Sequence, residues 1–166
     1  DHSHFSNLAR WQSANNGGAI TGTGWLGRWL DAAGLNQFGG VGIGGRGVPL
    51  HMRGAVSKVT DLPSNGGGLY GSDTSELRDR NMYRAIRRMG RGTSLGPWVD
   101  NVGSNNALAI DAARSVAPAY AQPLPEGRLL PELTLSARLL NLELGTRVLN
   151  VWHHGYDTHD NQIGNN

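Results

Sequence analysis

The stretch "ELGTRVLNVWHHGYDTHDNQ", residues 143–162, decides how the chain is read. A leucine-rich segment stops at Gly145, and a nearly continuous apolar run follows over 146–152. Then three histidines and two acids crowd between His153 and Asp160, in a chain with six histidines and thirteen acids altogether. Helix, glycine stop and apolar run predict an αβ unit of a doubly wound sheet. Strands without polar alternation belong to parallel sheets covered on both faces. In such sheets ligands gather at the carboxyl ends of the strands. The cluster His153, His154, Asp157, His159 and Asp160 falls at that end, and Gly155 lets the chain turn sharply there.

Asp157 and His159 stand two residues apart, so a loop can turn both donors toward one point. Carboxylate plus imidazole suits Zn or Mn, hard enough to keep a phosphate or sulfate oxygen as a further ligand. The spacing alone also fits an exposed polar loop. Successive strand residues point to opposite faces, so at most one of His153 and His154 faces such a metal.

Working outward, "RLLPELTLSARLLNLELG" (128–145) predicts a helix with Pro131 in its first turn. Its leucines at 129, 130, 133, 135, 139, 140, 142 and 144 surround the axis, as in a helix buried within something larger. "NNALAIDAARSVAPAY" (105–120) predicts a helix capped by Ser104 and broken near Pro118. "SELRDRNMYRAIRRMG" predicts a helix over 74–90, opened by a capping box of Asp73 and Glu76 and closed by Gly90. Its apolar side is Leu77, Met82, Ala85, Ile86 and Met89. Its arginines (Arg78, Arg80, Arg84, Arg87, Arg88, with Arg91 beyond) read as a solvated face, since acids are mixed in and no aromatic platform lies nearby.

"LPSNGGGLYGSD" (62–73) is loop. "QFGGVGIGGRGVPLHMRG" (37–54) predicts a strand and a tight turn; its glycines lack the Lys-Ser/Thr of a phosphate-binding loop. "GWLGRWLDAAG" (24–34) predicts a short helix with Trp25, Leu26, Trp29 and Leu30 as its packing stripe and Gly34 as its stop.

Composition narrows the classes. With 166 residues, 38% hydrophobic content and 25 glycines, the chain forms one loop-rich domain or part of a larger one. The absence of cysteine excludes disulfides, zinc–thiolate centres and thiol catalysis. No stretch approaches the roughly 20 apolar residues of a membrane span. The polar opening "DHSHFSNLAR" shows no signal peptide, and a chain without an initial Met is expected to be a section of a longer protein.

Taken in order, the motifs resemble a bacterial family of exported proteins, a domain of unknown function related to sulfatases and alkaline phosphatases. The resemblance rests on "HSHF" (2–5), "GWLGRWLD" (24–31) and "ELGTRVLNVWHHGYDTHDNQ" (143–162). His153-His154 stand where that family has small residues, and Tyr156 replaces a Phe. It implies an alkaline-phosphatase-like α/β fold, of which residues 1–166 are the central portion and 128–162 a helix–strand–ligand-loop unit. It also implies export by the twin-arginine route to the periplasm or beyond, and a divalent metal held by Asp157 and His159. His153, His154, Asp160 and His4 are further candidates for the metal or for tuning its ligands.

The expected partners are the remainder of the parent chain or other subunits, with a phosphate or sulfate ester as substrate. The nucleophile and the other metal ligands would lie outside these residues, so this portion is not expected to be catalytic alone. The alternative is an exported, non-catalytic binding or surface protein that keeps the fold. Nucleic-acid binding through Arg78 to Arg91 is the least favoured reading.

Overall fold

The computed structural model describes residues 4–15, 21–45, 47–65, 75–92 and 96–152. Five helices are described: α1 (His4–Ser13), α2 (Trp25–Ala33), α3 (Leu77–Arg91), α4 (Pro97–Val116) and α5 (Leu130–Asn141). Three strands, β1 (Gly40–Ile43), β2 (Thr60–Leu62) and β3 (Val148–Val151), form an open sheet in the order β2-β1-β3. Both pairings are parallel, with Val41 opposite Thr60 on one side and Leu149 on the other. The expected α/β class with a parallel sheet is therefore present.

Strand alternation divides the sheet into two faces. Val41, Ile43 and Leu62 point into a core with Ala112 and Val116 of α4 and Leu135 and Leu139 of α5, while Leu149 and Val151 pack against it. Gly40 and Gly42 face the other way. A Cβ on Gly40 would lie 2.8 Å from Leu30 Cδ1 and 3.2 Å from Met52 Cε, so glycine here lets α2 and the 3₁₀ turn Leu50–Met52 seat directly on the backbone. Helical layers thus cover opposite faces of one short sheet.

Local chemistry sets the helix ends. Gly34 closes α2 in the left-handed conformation (φ 60°), and Pro131 lies in the first turn of α5, both as the sequence predicts. Pro118 falls where α4 gives way to the 3₁₀ turn Ala117–Tyr120. Arg138 then ties α5 to that corner by donating to the carbonyls of Ala119, Gln122 and Pro123.

Other expectations are corrected. Of the expected stripe Leu30 is buried, but Trp25 and Trp29 are 41% and 48% exposed, and the second buried residue of α2 is Gly27. Added at Gly27, a Cβ would fall 2.0 Å from Arg53 O, so closeness to the neighbouring backbone, not the tryptophan stripe, seats this helix. Gly90 does not end α3, which continues to Arg91; it is the point where α3 meets α4 at Gly103. No side-chain cap bond opens α3 at Glu76, and Asp73 lies outside the described residues. Ser104 is not a cap either. It sits inside α4, its hydroxyl donating to Asn101 O.

The leucines of α5 divide into a buried pair, Leu135 and Leu139, and exposed Leu130, Leu133 and Leu140. Finally, β3 is half-buried and pairs with β1 alone among the described residues, where it stands at the edge of the sheet. No helix among the described residues is long and apolar enough to cross a membrane.

Candidate functional site

The strand order fixes where a site belongs. From β1 the chain moves to β2 on one side, then through α3, α4 and α5 to β3 on the other. The chain thus leaves β1 toward one side and returns from β2 past it to β3 on the other, and in such sheets ligands gather at the carboxyl ends of the strands. On the β1 side lie Gly44 and Gly45, both with positive φ, whose N–H groups donate to Leu62 O at 2.8 and 3.1 Å. On the β3 side Trp152 N donates to Ile43 O. The glycine-rich turn thus uses its amides to lock strand ends together, which agrees with ordinary turn structure.

Two further groups brace this edge. Asp61 of β2 accepts from Gly47 N at 2.7 Å and fixes the start of the segment beyond the turn. Tyr120 donates its hydroxyl to Pro63 O at 2.6 Å, tying the α4–α5 corner to the end of β2. Burial, reinforced by the negative charge of Asp61, pushes the Tyr120 pKa well above its usual value, so the phenol stays protonated and keeps donating.

On the opposite face, His51 is the most informative polar group. Its ring is buried, 6.2 Å from Trp11 in an edge-on arrangement, and its Nε2 lies 3.0 Å from Asn150 Oδ1. An amide oxygen only accepts, so Nε2 is the donor in this bond. Nδ1 is buried and has no partner among the described residues. The pair joins the β1–β2 connection to β3 one turn of strand before the His153–Asp160 cluster begins. Sequence reasoning missed it, because nothing local relates positions 99 residues apart.

Asp31, the last residue of "GWLGRWLD", is an anchor for the loop after the 3₁₀ turn. It accepts from Ser57 Oγ and Ser57 N at 2.6 Å, from Ala55 N at 2.7 Å and from Val56 N at 3.2 Å. The Ser57 hydroxyl first, then these amides, hold its pKa down at about 2.

The predicted ligands themselves, Asp157 and His159, lie outside the described residues, as do His153, His154 and Asp160. His4 opens α1, and its side chain is outside the description too. Among the described residues no group of three or more His, Cys, Asp or Glu side chains is arranged to hold a metal. No protein-family model, curated protein or solved structure matches the chain.

Proposed function

We propose that this chain is the central portion of an exported, metal-dependent phospho- or sulfo-ester hydrolase of alkaline-phosphatase-like fold. Asp157 and His159 would supply part of the metal's coordination. The observation that carries the proposal is the parallel β2-β1-β3 sheet, in which β3 leads toward the cluster from its carboxyl end beside β1. Bound Zn or Mn would polarise the ester and stabilise charge on its oxygens. Asp157 would contribute an anionic oxygen and His159 a neutral nitrogen, while neighbouring His153, His154 and Asp160 orient these groups or carry protons.

Two features support membership of a larger unit. Both edges of the sheet are unpaired among the described residues, although parallel sheets are normally enclosed. Leu130, Leu133 and Leu140 of α5 and Trp98, Val99 and Val102 of α4 are exposed, apolar side chains that a further part of the parent protein would cover. The remainder of the parent chain or another subunit is the proposed cover.

The test is Asp157→Ala in the full-length protein. Elemental analysis should find the wild-type Zn or Mn and its loss in the variant; unchanged metal content refutes the assignment. Release of nitrophenol from phosphate or sulfate esters in the presence of divalent metal separates the hydrolase from a binding protein of the same fold.

A further inference from the structure

The arginines of α3 include a group whose arrangement exceeds what a solvated helix face requires. Arg84, Arg87, Arg88 and Arg91 follow one another at i, i+3, i+4 and i+7, so they share one stripe. With Gly92 they line a concave cleft of about 390 Å³. Asp111 of α4 pairs with two of them, reaching Arg87 Nη2 at 2.5 Å and Arg91 Nη2 at 3.2 Å with separate oxygens. Arg84 and Arg88 have no acidic partner among the described residues. Among the described residues, four guanidiniums against one carboxylate leave three positive charges around the cleft. Helix-dipole stabilisation favours cations in the last turn, which includes Arg88 and Arg91 but not Arg84.

Asp111 does more than neutralise. It fixes two guanidiniums by one N–H each, leaving their other donors held in place, and Arg87 Nε is buried with no partner among the described residues. A buried donor without an acceptor is uncommon and calls for one. Anchored, planar guanidiniums lining a concavity suit the recognition of tetrahedral oxyanions.

We propose that this cleft binds a small polyvalent oxyanion of the phosphate or sulfate class, through Arg84 and Arg88 from one side and the Asp111-anchored Arg87 and Arg91 from the other. A nucleic acid fits less well. Among the described residues no aromatic side chain lines the cleft to stack a base, and the arginines that line it lie on a single helix stripe. The proposal does not depend on the metal reading.

Inorganic pyrophosphate titrated into the full chain and followed by calorimetry provides the test. One saturable site is expected. Arg84→Gln with Arg88→Gln should weaken it by about tenfold or more, since two charge-assisted contacts are lost. Arg78→Gln, outside the stripe and highly exposed, should change it by less than about twofold. Because Arg84 and Arg88 pair with no described residue, the double variant should keep the wild-type circular dichroism. Absence of saturable binding, or an equal loss with Arg78→Gln, overturns the proposal. So does a short DNA duplex that binds with a steep salt dependence while pyrophosphate fails to compete.

Discussion

Replacing Gly90 with alanine should reverse the usual sign of that substitution in a helix. Elsewhere the change gains about 1 kcal/mol of helix propensity. Here the new Cβ would lie 2.0 Å from Gly103 O, 2.7 Å from its carbonyl carbon and 2.8 Å from Ala107 Cβ. Two of those atoms are backbone in the middle of α4 and have no rotamer to swing away. Ordinary contact begins at 3.4 Å, so α3 must back away by about 1.4 Å. That shift strains the Arg87–Asp111 pair and loosens Ile86 and Tyr83, and α3 has no fully buried residue to hold it otherwise. Overpacking strain of about 1–3 kcal/mol, near its upper end for a backbone overlap, outweighs the propensity gain and leaves a net loss of about 2 kcal/mol. Urea unfolding should show a lower midpoint. If α3 opens on its own, its amides should exchange roughly 30-fold faster, the factor that corresponds to that free energy. A Gly90→Ala protein as stable as wild type, with α3 exchange unchanged, refutes the close crossing. Gly103→Ala, whose Cβ would meet Gly90 Cα at 3.1 Å, should be milder.

Leu135 is fully buried between α5 and the sheet, and Leu135→Ala should destabilise by about 2–5 kcal/mol in chemical denaturation; a loss below about 1 would contradict the described core. Asn150→Ala removes the acceptor of His51 Nε2 and leaves a buried donor unpaired, an expected loss of about 1–3 kcal/mol, whereas an unperturbed midpoint would argue against the pairing. Asp31 has a folded-state pKa of about 2 against an ordinary 3.8, so its contribution is complete above pH 3.8 and disappears as pH falls toward 2. Wild type should therefore lose stability across that acid window faster than Asp31→Asn does; parallel acid curves would sink the anchor.

The parts of the fold legible in the sequence were those fixed by local stereochemistry. Gly34, Pro131 and Pro118 act on their own backbone, and each did what its covalent structure dictates. The apolar run before His153 likewise announced a parallel strand, though its edge position depends on partners that no local pattern encodes. β2 escaped notice because three residues, Thr-Asp-Leu, carry no periodicity. α1 escaped because its inward residues are Gln12 and Ser13, while Phe5, Leu8 and Trp11 face outward. Gly27 and Gly90 look like helix weaknesses in sequence, yet each marks where another backbone passes. At the candidate site, Asp157 and His159 were visible as a pattern, but His51–Asn150 and the Asp31 anchor were not, since each joins segments distant in the chain.

Anomalous diffraction at the zinc edge, from crystals of the full-length protein grown with Zn²⁺, tests the central proposal most directly. The account predicts a peak at the carboxyl edge of the sheet between β1 and β3, within about 2.0–2.2 Å of an Asp157 oxygen and a His159 nitrogen. A zinc peak elsewhere, with those two side chains directed apart into solvent, would contradict it.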